Sequence, residues 1–337
     1  YVPLVVRQDD RASALLLQTS VNTYEAYNAW GGKSLYDSNS SGAATVGGGT
    51  AAVKVSFNRP YEADFGSGHF LRYEYNLIRW IERQGYDVTY TTDADVAVDG
   101  TQLLRHRALI AAGHDEYWTA EQRQHVEEAL SQGVHLAFLG ADDVYWQARY
   151  EASAEAVPYR TLVVYRGHSD PLFSTDLAHT TVRWRDQPVT KPENSLTGTS
   201  YGGQLNPFVQ DWVAAGTANW LFAGAWLRPG DKVPGLVGKE YDHSVNNEAS
   251  PKGLQILSHS PVSTNGGSGT DGYAETTVYT APSGAMVFGA GTVTWSWGLD
   301  DASYPLGALH STPVSAAIQR ITANLLDYFA YGPPDPP

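Results

Sequence analysis

The sequence contains no cysteine and a single methionine. Without thiols there is no disulfide, no thiolate nucleophile and no cysteine-ligated metal, so any metal must be held by oxygen or imidazole donors. Long apolar runs are also missing. The strongest, residues 108–112 and 133–140, are short and end in polar residues, so none reads as a membrane span. There is no long basic block, and the formal net charge is -14, which repels a phosphate backbone and argues against nucleic acid as a partner. HExxH, CxxC, GxSxG and phosphate-loop patterns are absent.

What is present describes a globular chain. Of 337 residues, 42% are hydrophobic and 17% charged, which predicts a folded core and one elaborated domain over residues 1–330, with a proline-rich tail at 331–337. Arginine outnumbers lysine, Trp and Tyr are abundant, and the loops are rich in Thr, Ser, Asn and Gly. That mix suits a secreted, extracellular protein, with a cytoplasmic location as the alternative. A start at Tyr1 without methionine or signal sequence fits a processed or trimmed product.

Short apolar runs alternate with helical spacing as far as Gly140. Residues 1–6, 14–17, 87–90, 108–112 and 134–139 read as strands. Residues 70–84 read as a helix stopped by Gly85, and 119–131 as a helix with a threonine cap and Glu121 in its first turn. Residues 145–150 read as a further helix, and 160–284 as a loop-rich insertion holding the Pro/Gly/Asn-rich stretches 192–203 and 264–272. Strand character returns at 286–297, and 315–328 reads as a closing helix. The order predicts an α/β fold, a doubly wound and mostly parallel sheet with helices on both faces, whose ligands lie at the carboxyl ends of the strands.

The motifs fall at those ends. Gly113-His114-Asp115-Glu116-Tyr117-Trp118 follows a buried strand and precedes a helix. Its geometry resembles a nucleophile elbow without Ser or Cys, so a carboxylate or histidine there points to metal binding or proton transfer. An acidic helix cap is the plainer alternative. The stretch from Asn22 to Tyr36 places Tyr24, Tyr27 and Tyr36 after the preceding strand. Phenolates are hard donors and, with one carboxylate, suit ferric iron, although clustered tyrosines also pack lids and pocket walls. Gly140-Ala141-Asp142-Asp143-Val144-Tyr145-Trp146 repeats the strand-then-acid pattern one unit later and brings acids near Glu116, as acid and base or as helix caps. Trp295-Ser296-Trp297-Gly298-Leu299-Asp300-Asp301 reads as a packed corner, and Glu240 as an acid on a loop able to reach over the site.

With these motifs assembled, the chain resembles the large (beta) subunit of N,N-dimethylformamidase and the wider family named after its C-terminal domain. The likeness rests on Thr23-Tyr24-Glu25-Ala26-Tyr27-Asn28, Gly31-Gly32, Ser34-Leu35-Tyr36, the two strand-end motifs above and Leu196-Thr197-Gly198-Thr199. The resemblance implies a sheet like that of class I glutamine amidotransferases, without their cysteine. It also implies one Fe(III) per chain held by two tyrosinates and a glutamate, roles that fall on Tyr27, Tyr36 and Glu116, with Tyr24 a rival for the first. His114 is then the nearby base and Glu240 a second proton-transfer carboxylate. Asp142 stands where the amidase has an asparagine, and the added charge separates this chain from the small-amide substrate.

The expected activity is metal-dependent hydrolysis of a C–N amide bond other than a peptide bond, with the ferric ion polarising the carbonyl and activating water. One alternative is a metal-free carbohydrate-active hydrolase using two of Glu116, Asp142, Asp143 and Glu240, with Trp30, Trp118 and Trp146 stacking on sugar rings. Another is a non-catalytic secreted binding protein. The expected partner is a small-molecule or glycan substrate, neither nucleic acid nor membrane, and a homo-oligomer is compatible with the sequence.

Overall fold

The computed structural model describes residues 2–266, 269–302 and 312–333. Strand β1 (Leu15–Thr19) is buried along its whole length, as expected of a strand covered on both faces. It runs into helix α1 (Val21–Tyr27), and a short strand β2 (Lys54–Ser56) follows. Helix α2 (Ser67–His69) passes through a π-helical turn at Phe70–Glu74 into α3 (Tyr75–Gln84). Gly85, at φ 78°, closes α3 in the left-handed conformation that glycine adopts freely.

Strand β3 (Val88–Thr92) leads into α4 (Asp93–Val98), then β4 (Ala108–Gly113) and a short β5 (Tyr117–Thr119). The Thr119 hydroxyl caps α5 (Ala120–Ser131) by accepting from the Gln122 amide at 3.2 Å. Next come β6 (His135–Gly140), β7 (Trp146–Glu151) and β8 (Thr161–Val163). Helix α6 (Asn194–Thr197) is followed by β9 (Ser200–Gln204), β10 (Gln210–Val213), β11 (Lys232–Val237) and β12 (Glu240–His243). Strands β13 (Gln255–Ile256), β14 (Ser260–Val262), β15 (Gly272–Ala274), β16 (Thr277–Thr280) and β17 (Met286–Gly289) precede the last helix, α7 (Ala316–Tyr331).

The main sheet has seven strands in the order β13-β16-β17-β6-β4-β1-β3. From β17 to β3 neighbouring strands are parallel, and β13 and β16 add an antiparallel flank. Alternation along the strands divides the core. Leu15, Leu17, Ile110 and Ala112 pack with Leu77, Trp80 and Ile81 of α3 and Leu325 and Phe329 of α7. Leu16, Leu109, Ala111 and Phe138 pack with Val126 and Ala129 of α5. Helices therefore cover both faces, and each large buried side chain contributes roughly 1.5–3 kcal/mol of transfer free energy. Among the described residues no helix is long and apolar enough to cross a membrane.

Several expectations change. Within 1–6 the described residues form no strand, because Val2, Leu4 and Val6 are 74%, 83% and 77% exposed and have no apolar surface to cover. Where a helix is expected at 145–150, residues 146–151 are strand. Their aromatic residues favour extended backbone, and β7 has partners on both sides, β5 in parallel and β8 antiparallel. The stretch 160–284 is less loop-like than its composition predicts, since it carries strands β8 to β16, each two to six residues long. Residues 286–297 are strand only as far as Gly289, after which Trp295–Gly298 forms a 3-10 turn.

Candidate active site

Strands β4 and β6 lie side by side with Gly113 opposite Gly140. Both chains therefore leave the sheet at the same carboxyl edge, where a sheet of this kind binds ligands. The crossing is tight, because a Cβ on Gly140 would lie 2.1 Å from the Gly113 carbonyl oxygen. After β4 come His114, Asp115 and Glu116; after β6 come Asp142 and Asp143. The expected helix-start elbow is not there. Strand β5 intervenes, and α5 begins at Ala120 with its own threonine cap, so its free amides lie beyond the cluster.

Glu116 collects two phenols. Tyr36 donates its hydroxyl to both carboxylate oxygens, at 2.8 and 3.0 Å, and Tyr27 donates at 3.1 Å. Tyr27 ends α1, and its ring stacks on Tyr36 with centroids 4.2 Å apart. The Glu116 backbone amide donates to Thr23 Oγ1 at 3.1 Å, which ties the carboxylate to the same helix. Tyr24 is not part of this group, because its hydroxyl donates to Glu74.

The Nε2 atom of His114 faces three carboxylates, at 2.7 Å from Glu240 and 3.4 Å from both Glu116 and Asp142. Ligand atoms of His114, Asp142 and Glu240 all lie within 4.8 Å of one another, close enough to hold a metal ion. Glu240 reaches the cluster from strand β12 rather than from a loop, and Gln204 of the paired strand β9 donates to its other oxygen at 2.9 Å. Asp142 sits at φ 58°, a left-handed conformation held by its amide donating to Asp242 Oδ1 at 2.8 Å.

Burial and mutual charge set the protonation of the cluster. Burial pushes the Tyr27 and Tyr36 phenols well up, and the Glu116 charge adds to it. Burial also raises Glu116 and, together with the Glu116 charge, Asp142. Burial alone would lower His114, but the Glu240 and Asp142 carboxylates outweigh it and raise the imidazole well above its usual value. Glu240 is held below the usual carboxylate range because the His114 cation outweighs its own burial. These groups fit a metal. Donors about 2.0–2.2 Å from one ion stand roughly 3 Å apart, as each of the Tyr27 and Tyr36 phenol oxygens already does from the Glu116 carboxylate. A cation replacing the two phenolic protons would also relieve the buried negative charge.

Two residues join the site that sequence reasoning missed. Arg166 donates to the Tyr117 hydroxyl at 2.6 Å, Tyr117 shares a 2.5 Å hydrogen bond with Tyr36, and the guanidinium lies 4.7 Å from the Tyr36 ring centroid. His69 is buried with its ring 4.5 Å from Tyr27 and 5.8 Å from His114. Neither carries a local motif; packing of distant segments brings them in.

Other candidates have structural roles. Asp143 accepts from the Asp115 amide at 3.3 Å, and Asp300 pairs with Arg79 and Arg83 in the expected packed corner. The proposed sugar platform does not assemble, since Trp118 is fully buried against Phe138 and the sheet while Trp30 is 51% exposed.

The chain is similar to known proteins over most of its length. The beta subunit of N,N-dimethylformamidase from Paracoccus aminophilus is 24% identical over 339 aligned residues, covering 86% of this chain and 41% of that protein. The corresponding subunit from Alcaligenes sp is 27% identical over 106 residues, 29% of this chain and 14% of that one. The chain thus spans less than half the length of the curated relatives it matches. A family model described as N,N-dimethylformamidase beta subunit-like, C-terminal matches residues 1–308, and the chain belongs to that family.

Proposed function

We propose that the protein is a metal-dependent hydrolase of a C–N amide bond other than a peptide bond, built on an amidotransferase-like sheet. The observation that carries this reading is the convergence of two half-buried phenols on one buried carboxylate, directly beside the His114–Glu240 pair. In this reading Tyr27, Tyr36 and Glu116 hold Fe(III). Such a cation supplies polarisation of a carbonyl oxygen and makes water acidic enough to attack at neutral pH.

The chain's own residues do the rest. Glu240, kept ionised by the His114 cation 2.7 Å away, takes the proton lost by the attacking water, and His114 carries at Nε2 a proton for the leaving group. The His114 proton then passes to the leaving nitrogen, and the proton taken by Glu240 moves to His114 to restore the pair. Asp142, 3.4 Å from His114 Nε2, adds to the carboxylates that raise the imidazole. Tyr145 and Tyr201 pack edge to face with ring centroids 5.1 Å apart, and Arg166 lies 5.0 Å from the Trp146 ring centroid.

The relatives are named as beta subunits, so assembly with a partner chain or a second copy belongs to the proposal. An extracellular location is also part of it and rests on composition. Metal analysis and visible absorption test the reading. Purified protein should carry iron and show a tyrosinate charge-transfer band. Colourless protein without stoichiometric iron, whose amide hydrolysis is unaffected by Tyr36→Phe, would sink it.

A further inference from the structure

We propose that His114, Asp142 and Glu240 form a second cation site, adjoining the Tyr27–Tyr36–Glu116 set but separate from it. The inference does not depend on amide hydrolysis, since it is read from metal content alone.

The first argument is hydrogen-bond accounting. His114 Nε2 offers one direction of donation, and the carboxylate of Glu240, at 2.7 Å, takes it. Glu116 and Asp142, each at 3.4 Å, are left with long contacts. Asp142 is 4% exposed, and its Oδ1 is buried with no partner at all. A buried carboxylate oxygen left without a hydrogen bond is unfavourable, because it has lost water and gained nothing in its place. A proton can satisfy one of these groups well; a cation serves all three together.

The second argument is geometry. One ligand atom from each residue lies within 4.8 Å of the other two, so an ion between them needs small side-chain adjustments. The backbone is prepared for it. The amide of Asp142 is fixed by Asp242, and Glu240 is steadied by Gln204, the kind of outer support that orients metal ligands. The phenols of Tyr27 and Tyr36 reach Glu116 and make no hydrogen bond to the trio. Glu116 lies between the two sets, touching both the phenols and His114, which suits a pair of ions about 3.5–4 Å apart.

One imidazole and two carboxylates suit a first-row divalent ion such as Zn(II) or Mn(II), whereas two phenols and a carboxylate suit a harder trivalent ion. Filling the second site takes His114 and Glu240 out of proton transfer, so excess divalent ion should slow the reaction.

The test is metal stoichiometry in the full chain. Metal-stripped protein is loaded with Fe(III), then titrated with Zn(II), with elemental analysis and calorimetry as readouts. The expected result is about two ions per chain in the unchanged protein, with Asp142→Asn losing the zinc and keeping the visible band. Asparagine tolerates the left-handed backbone at this position, so that variant should fold. Tyr36→Phe should lose the band and keep the zinc. One ion per chain, equally well bound by Asp142→Asn, overturns the second site while leaving the first intact. Zinc bound without any band, and lost only in Asp142→Asn, supports the second site and overturns the iron reading instead.

Discussion

Glu240 Oε2 lies 2.7 Å from His114 Nε2, although the two residues are 126 positions apart, His114 just after β4 of the main sheet and Glu240 at the start of β12 in a separate two-stranded sheet. Each shifts the other in the direction an ion pair requires, His114 up and Glu240 down. Glu240→Gln keeps the shape and removes the charge. Amide hydrolysis should then fall by about a hundredfold or more, the usual range for a positioned acid–base group. A loss confined to KM, with kcat unchanged, would contradict a proton-transfer role.

Tyr36 is the most densely connected of the proposed ligands, bonded to Glu116 and Tyr117 and lying under Arg166. Tyr36→Phe should abolish tightly bound iron and the visible band while changing thermal stability little, because the ring keeps its stacking on Tyr27. Arg166→Met should keep the iron and shift the band, since the cation beside the phenol is lost. Identical spectra for the Arg166 variant and the unchanged protein would show that the guanidinium does not act on Tyr36.

Gly140→Ala tests how the two strand ends are brought together. The added methyl would fall 2.1 Å from the Gly113 carbonyl oxygen, a backbone atom that cannot move aside. Overpacking of this kind costs about 1–3 kcal/mol or more. The variant should unfold at lower denaturant concentration and also lose metal, because the shift passes straight to His114 and Asp142. An unchanged denaturation midpoint would refute the tight-crossing argument.

These residues also show what could be read from the sequence. The strand-end motifs after Gly113 and Gly140 were legible because parallel strands with intervening helices place their carboxyl ends together, whatever the loops do. Tyr27, Tyr36 and Glu116 were named through family resemblance, and spacing alone left clustered tyrosines ambiguous. Arg166 and His69 were not legible, because each arrives from a segment with no pattern of its own. The strand at 146–151 reads as helix over 145–150 because its edges are satisfied by β5 and β8, partners that a local window does not contain. Likewise the strands of 160–284 are too short to impose a period on their sequence.

Glu74 is buried between α3 and the sheet, and burial raises its carboxyl to about 8 despite bonds from Tyr24 and Ser20. Its folded pKa exceeds the unfolded value, so between about 4.5 and 8 the folded state binds more protons than the unfolded one. Stability should therefore decline as pH rises through that window. Glu74→Gln removes the ionisation and should flatten this part of the stability profile. The check is urea denaturation of both proteins from pH 5 to 8, and equal slopes would argue that Glu74 is ionised throughout.

His135 titrates with the opposite sign. Its Nδ1 accepts from the Met286 amide at 2.8 Å, and its ring stacks on Phe329 with centroids 4.7 Å apart, which joins β6, β17 and α7. Burial lowers its pKa to about 4, with Arg107 adding to the effect. Between about 6.5 and 4 the unfolded chain binds a proton that the folded chain refuses, so stability falls as pH drops through that window. Protonation also turns the acceptor Nδ1 into a donor facing another donor, so the join between β6 and β17 should loosen with the same titration. His135→Asn can keep an acceptor for the Met286 amide without titrating. It should cost some stability at pH 7 through lost stacking and lose the acid sensitivity between pH 6.5 and 4. If the variant and the unchanged protein lose stability in parallel over that range, the proton is taken up elsewhere.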